Sequence, residues 1–553
     1  MSPSRRRPTA SVRTAGEVGS TPVPATACFP DRLSAPGAFV TVVELVPWRG
    51  PASVDAGRKA YELAAVLATD PTIDALSVTD NAGGHAMASP ELLARDIVGR
   101  GGRAIVHVAC RDRNRNELLS LGWRLASEGL ETILCLSGDY PVDGYGGVAR
   151  PVFDLDSVGL LEMYRREGLL GARRSSAERT DTGPGPAWRL PDDGFFAGAV
   201  VNPFKRFERE LVPQYQKLEL KVRTGARFII PQVGYDARKM DELLRVLRSR
   251  GLEVPALANV FKLTRTTARL FHAGRIPGVT VTDELLALAE REGAAADKGR
   301  VFFRELAARQ IAIARGLGYS GAYLGGIHDP DEVARIRELA AAFGPDDWRG
   351  LARELRFGWR DGFDLLEPDQ ETGLSSDRPA RAYERSKTRS ARRRARRHVP
   401  LAYRFDRLTH DLAFTPGSPG FRAGTRFYEG VERRHFGRPL HVLEQAIKIP
   451  LFDCRDCGDC SLPDVAYLCP ESHCAKNQRN GPCGGSHEGR CEVPDRPCIW
   501  ATAYDRLKPY GEEDAILRRP VVVTDHALRR TSAWANTYLG RDHTTRPVPT
   551  GED

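Results

Sequence analysis

The sequence predicts an α/β protein: a (β/α)8 TIM barrel followed by a small cysteine-rich domain. Two observations carry this expectation. Between about residues 38 and 330, eight short β-branched and apolar runs alternate with longer helix-like segments, and eight of the eleven cysteines lie between Cys454 and Cys498.

The chain opens on a stretch rich in Ser, Thr, Pro and Arg and poor in large apolar residues, so residues 1–34 are expected to form a disordered arm. Residues 35–345 are read as the barrel. Its runs are AFVTVVELV (38–46), IDALSVTD (73–80), RAIVHVAC (103–110), ETILCLSG (131–138), FFAGAVV (195–201), RFIIPQV (227–233), EVPALANV (253–260) and GAYLGGI (321–327). These runs are apolar on both faces, as in parallel strands covered by helices, and segments such as ARKMDELLRVLRSRG (237–251) supply the crossovers. Eight repeats over about 290 residues suit a barrel better than an open doubly wound sheet. No GxGxxG opens a helix after the first run. The segment RRSSAERTDTGPGPAW (173–188) reads as a mobile loop within the barrel. Residues 346–435 form a connector with a basic run, and 436–545 the cysteine-rich domain.

The net charge of +9 has a local origin. Between Arg378 and Arg397 there are ten basic residues and one acidic, Glu384, while the rest of the chain is balanced. A phosphate-binding role for this run, with the cysteine segment as a zinc module, is the nucleic-acid reading. Against it, the run holds one aromatic residue, Tyr383, and has the character of a solvated Arg-rich linker. No apolar stretch is long enough to span a membrane and no secretory signal is visible, so a cytoplasmic protein is expected.

In a barrel of this type chemistry sits at the C-terminal ends of the strands. There the runs end in polar residues: Glu44, Thr79-Asp80-Asn81, His107, Gly138-Asp139, Asn202, Gln232 and Asn259. Singly, each is most often a helix cap or a satisfied core residue. Jointly, they mark one mouth.

Glu44 three residues before Pro47, SVTDNAGG (77–84), IVHVACRDRN (105–114), LCLSGDYP (134–141) and KLELKVRTGARFIIPQVGYD (217–236) resemble the methylenetetrahydrofolate reductase family, flavin-dependent barrels that reduce a folate-borne methylene to a methyl group. The phrases CGDC, LCPE, CAKNQRNGPCGG and GRCEV resemble the carboxy-terminal domain fused to, or partnered with, one branch of that family. The resemblance implies Glu44 as general acid, Asp139 as the carboxylate that stabilises the iminium and holds the pterin, and Gln232 as the partner of the pterin amide edge. It implies Thr79, His107, Gly138, Asp139, Asn202 and Lys221 around the flavin, FAD or FMN, with NAD(P)H or an electron-donor protein as reductant and a homo-oligomeric enzyme. Asn202 replaces a tyrosine, Leu45-Val46 an aromatic pair and Thr79-Asp80-Asn81 a Thr-Tyr-Gly. The family's stacking phenylalanine has Phe261 and Leu263 as its nearest counterparts. These departures leave the flavin and the electron donor open.

The cysteines Cys454, Cys457, Cys460, Cys469, Cys474, Cys483, Cys491 and Cys498 are spaced C-x2-C-x2-C-x8-C-x4-C-x8-C-x7-C-x6-C. In a reducing compartment such a cluster holds metal more readily than disulfides. The triple C-x2-C-x2-C can cap an iron–sulfur cubane with a fourth thiolate from farther along, and C-x2-C pairs serve zinc equally, with His473 or His487 available. Eight thiols suffice for two four-ligand sites. Cys110 and Cys135 read as small core residues and Cys28 as part of the arm. A remaining reading keeps the fold without the reaction, as a barrel subunit passing electrons or methyl groups to a partner.

Overall fold

The computed structural model describes residues 28–549, except Pro36, 171–193 and His435. The arm up to residue 27 and the expected loop at 173–188 lie outside the described residues.

All eight runs contain a strand: β1 Val40–Leu45, β2 Ala75–Val78, β3 Ala104–Ala109, β4 Thr132–Leu136, β5 Phe196–Val201, β6 Phe228–Pro231, β7 Leu257–Phe261 and β8 Gly321–Gly325. They pair in parallel in the order β6-β5-β4-β3-β2-β1-β8-β7. A bridge of Ile229 with Ala256 and a hydrogen bond donated by the Asn259 side-chain amide to the Pro231 carbonyl (3.0 Å) join β6 to β7, so the barrel is nearly closed.

Strand parity explains why the polar residues share one mouth. Side chains alternate between the two faces of a strand, and the packed interior holds Val40, Val42, Ala75, Ile105, Leu134, Phe196, Phe228, Ile230, Leu257 and Tyr323. Stepping on by twos from these residues reaches Glu44, Ser77, Thr79, His107, Gly138, Asn202, Gln232 and Asn259. The same inward series is apolar at the bottom of the barrel and polar at the top.

The other end is stoppered. Helix α1, Phe29–Ser34, packs Phe29 edge-on against Phe196 and Phe228 and pairs Arg32 with Asp74. The disordered arm was expected to reach residue 34; instead Phe29 and Leu33, one helical turn apart and both buried, order this last turn.

Around the strands lie α2 Asp55–Thr69, α3 Pro90–Gly99, α4 Arg115–Ser127, α5 Ser157–Arg166, α6 Glu208–Arg223, α7 Ala237–Ser249, α8 Arg265–His272, α9 Asp283–Glu292, α10 Arg300–Leu317 and α11 Pro330–Ala342. Asn114, Asp156, Asp236, Thr264 and Asp329 cap helices in this set by accepting backbone N–H bonds. Helix α12, Trp348–Glu354, and a hairpin of β9, Leu366–Pro368, with β10, Ser375–Pro379, follow.

The basic run is ordered where solvated linker character was expected. It forms α13, Arg381–Ser386, and α14, Arg389–Ala395, because Tyr383 is buried, Arg392 pairs with Glu513 (2.7 Å) and Arg396 donates to the Pro509 carbonyl. The remaining helices are α15 Leu401–Ala413, α16 Pro419–Arg433, α17 Gly437–Phe452, α18 Pro470–His473, α19 Ile499–Leu507 and α20 Ala533–Tyr538. Among the described residues no helix is long and apolar enough to cross a membrane.

Candidate functional site

At the top of β1 the Glu44 carboxylate accepts a hydrogen bond from the Tyr323 hydroxyl (2.9 Å). The same hydroxyl lies 3.3 Å from Ser77 Oγ and 3.3 Å from His107 Nε2, and Ser77 and His107 are 2.9 Å apart. Register builds this group: Glu44 pairs with Ser77 across β1–β2, and Val42 with Tyr323 across β1–β8. Gly325 is closely packed here: a Cβ would sit 3.2 Å from Glu44 Oε1 and 3.1 Å from the Phe261 ring, so both side chains would have to give. Burial pushes the Glu44 carboxyl up, with the Tyr323 bond opposing it. Burial pushes His107 down to about 3, so its imidazole is neutral.

Beside this group Thr79 is buried, and its hydroxyl has no partner among the described residues. Asp80 is structural: it accepts from the Ala109 N–H (3.1 Å) and pairs with Arg113. At the end of β4, Gly138 adopts a left-handed φ of +84°, and a Cβ there would approach the Arg111 side chain to 3.0 Å. Burial raises the Asp139 carboxyl; Lys476 opposes the shift and Glu492 adds to it.

Those last two residues belong to the cysteine-rich segment, which docks onto the mouth. Lys476 donates to the Gly138 carbonyl (2.7 Å) and pairs with Glu492, whose carboxylate accepts from the Tyr140 N–H (2.7 Å). On the neighbouring strands the segment is held by its backbone. Asn202 donates to the carbonyls of Gly278 (2.8 Å) and Gly484 (3.1 Å), Lys205 to those of Gly484 and Ser486, and Gln214 to that of Cys483 (2.6 Å). Beneath them, burial opposes the charge on Asp156, yet Lys217 and the Gly159 and Asn480 donors hold its carboxyl below the usual range. Lys217 also donates to Gln478 (2.8 Å) and to the Gly481 carbonyl (2.9 Å).

The structure therefore brings Glu44, Thr79, His107, Gly138 and Asp139 to one side of the mouth. Gln232 lies across it, its amide 3.4 Å from the Pro277 carbonyl. The polar ends of Asn202 and Lys221 are engaged elsewhere: Asn202 by the docked segment, and Lys221 by the Val200 carbonyl (2.6 Å) under α6, where burial lowers its amine to about 7. Sequence reasoning missed Ser77, Tyr323, Lys476 and Glu492. Parity with Thr79 could have found Ser77; Tyr323 shows itself only through the register of β8 with β1, and contacts across more than 300 residues leave no local trace.

The eight cysteines divide into two sets. Cys454, Cys457, Cys460 and Cys469 line one small cavity with Lys448 and Arg479, and Lys448 Nζ is 3.5 Å from Cys460 Sγ. In the second set, nearer the barrel, Cys474, Cys491 and Cys498 each interact electrostatically with Cys483, whose carbonyl Gln214 holds. Backbone N–H groups aim at sulfur in both: Asp456 at Cys454 (3.4 Å), Gln478 at Cys474 (3.4 Å) and Val493 at Cys491 (3.5 Å). Among the described residues no three Cys, His, Asp or Glu side chains close into a metal-ligand shell, and none of the cysteines is in a disulfide. His473 and His487 are exposed, while Cys110 and Cys135 are buried in the barrel core as expected.

Residues 435–527 match the family described as methylene-tetrahydrofolate reductase C terminal. The matched residues include both cysteine sets and the residues seated on the barrel. No curated protein matches the chain. A solved structure from Clostridium thermocellum, described as an uncharacterized protein that binds two copies of 5-methyl-5,6,7,8-tetrahydrofolic acid, is similar at 13% identity with a TM-score of 0.36, over 55% of this chain and 94% of its own.

Proposed function

We propose that this chain is a flavin-dependent oxidoreductase that interconverts 5,10-methylenetetrahydrofolate and 5-methyltetrahydrofolate. The observation that carries this reading is a buried acid at the barrel mouth, Glu44, hydrogen-bonded to Tyr323 and facing a mouth onto which a methylene-tetrahydrofolate reductase C-terminal segment is docked.

Opening the folate imidazolidine ring requires a proton for the departing nitrogen. A carboxyl raised by burial can hold that proton near neutrality. Tyr323 fixes the Glu44 carboxyl, and the neutrality of His107 matters because an imidazolium there would hold Glu44 as carboxylate. Asp139 and Gln232 are assigned to the donor and acceptor edge of the pterin, which a carboxylate and a neutral amide suit.

The unpartnered, buried Thr79 hydroxyl fits a flavin at this side of the mouth. Thr79, His107 and Gly138 would hold it; the Asn202 amide and the Lys221 amine bond the Gly484 and Val200 carbonyls. A bound flavin would supply the hydride exchanged with the folate carbon. The donor chemistry of two sets of four thiols suits iron–sulfur clusters or zinc, and the C-x2-C-x2-C spacing favours iron–sulfur in the first set. A cluster would supply single electrons, zinc only a folded loop.

Anaerobic purification followed by an absorption spectrum and elemental analysis tests the reading. Bound flavin with iron or zinc supports it; protein with neither overturns it.

A further inference from the structure

A buried ion pair is weak evidence of a gain in stability, because taking both charges out of water costs about as much as their attraction returns. Lys476 and Glu492 form such a pair, 2.5 Å apart with side chains 4% and 3% exposed. Their contacts run opposite to the others that seat the segment. Asn202, Lys205, Gln214 and Lys217 are barrel side chains that hold carbonyls of the segment. Lys476 and Glu492 are segment side chains that hold the main chain of the barrel, and they do so at the turn that carries Asp139.

Asp139 sits between two peptide planes, and both are held. On the first, Lys476 donates to the Gly138 carbonyl (2.7 Å). On the second, the buried Arg111 guanidinium donates to the Asp139 carbonyl (3.3 Å) and Glu492 accepts from the Tyr140 N–H (2.7 Å). The Phe153 ring backs the turn, stacked on Tyr140 with centroids 6.3 Å apart and lying 5.9 Å from Lys476 Nζ. Two fixed planes set the direction in which the Asp139 side chain leaves the backbone. The segment is shaped for this, since a Cβ on Gly485 would overlap the second carboxylate oxygen of Glu492.

We propose that Lys476 and Glu492 are positioning residues of the folate site, aiming the Asp139 carboxylate at the pterin from outside the barrel. This role rests on the enzymatic reading, which assigns Asp139 to the pterin edge. It gives the docked segment a part in substrate binding that is separate from any electron transfer. Lys476 follows Cys474 by two residues and Glu492 follows Cys491 directly, and the Gln478 and Val493 N–H groups aim at those two sulfurs. The loops shaped around these cysteines therefore carry the pair to the turn.

The test is a mutant cycle on the full chain, read by calorimetric titration with 5-methyltetrahydrofolate. Lys476→Met combined with Glu492→Leu removes both charges without stranding either, a replacement that is often neutral for stability. Glu492→Ala, which leaves Lys476 its bond to Gly138, replaces it in the cycle if the combined variant does not fold. The expected result is binding weakened about 10-fold when Asp139 is present and less than about 2-fold in an Asp139→Asn background, because a residue acting through Asp139 then has nothing left to aim. Equal losses in both backgrounds, as a purely structural role would give, or no loss in either, overturn the proposal. If wild type binds no folate, the enzymatic reading fails, and hydrogen exchange of the Tyr140 amide decides whether the pair sets the turn. Exchange at least about 10-fold faster in the variant supports that positioning; unchanged exchange overturns it.

Discussion

At the scale of single residues, the mouth is governed by what burial does to two titratable groups. Glu44→Gln keeps the Tyr323 contact and removes the proton, so kcat for folate reduction is expected to fall about 10²–10⁴-fold. The linkage runs opposite to activity. A carboxyl raised in the folded state makes folding less favourable as pH rises through the shifted value, so Glu44→Gln should melt higher than wild type at pH 8 in calorimetry, with little difference at pH 4. His107 has the converse sign. Its folded value of about 3 lies below the ordinary 6.5, so stability is present above 6.5 and is lost as pH falls toward 3. His107→Gln should flatten that acid limb, as followed by circular dichroism. Glu44, Thr79, His107 and Asp139 were legible as polar breaks at the ends of apolar runs. Tyr323 was not, because a tyrosine within an apolar strand carries no signal until the register sets its hydroxyl against Glu44.

At the scale of elements, the strands were legible because parallel strands covered on both faces are written as short continuous apolar runs. Helix α1 and the helical form of the basic run were not, since their order comes from tertiary partners: the barrel floor for Phe29, and Glu513 for Arg392. Two further elements are held by buried charge. His543, 1% exposed, bridges Asp459 and Asp464 and fastens the last turns of the chain over the first cysteine set. Burial opposes its protonation, but the two carboxylates hold it up at about 10, so its contribution is full below pH 6.5 and is lost as pH rises toward 10. His543→Ala leaves Asp459 without its cation and Asp464 with Arg519 alone (3.5 Å), and is expected to cost about 3–5 kcal/mol in urea unfolding. Lys476→Met strands Glu492 against the Gly138–Tyr140 turn in the same way. It should open the 476–492 segment to limited proteolysis while leaving the far-ultraviolet spectrum of the barrel intact.

At the scale of the whole molecule, the carboxy-terminal segment is a second wall of the barrel mouth. Asn202, Lys205, Gln214 and Lys217 hold its backbone, and Lys476 with Glu492 reaches the Asp139 turn. The sequence announced both parts but not their union, because hydrogen bonds to backbone carbonyls such as those of Gly481 and Gly484 depend on the path of the chain and leave no constraint on the residue type accepting them. If metal organises the cysteine loops, its removal should loosen this wall first. Chelator treatment is expected to raise proteolytic cleavage between 454 and 498 before the barrel unfolds.

The central claim is that Glu44 moves the proton while a flavin at the same mouth exchanges hydride with the folate. Its most direct test is anaerobic stopped-flow absorbance of the flavin band on mixing with 5-methyltetrahydrofolate, wild type against Glu44→Gln. Bleaching in wild type that slows at least 100-fold in the variant is the predicted result. Equal bleaching in both would contradict the role of Glu44, and a flavin left unbleached in wild type would contradict the reaction itself.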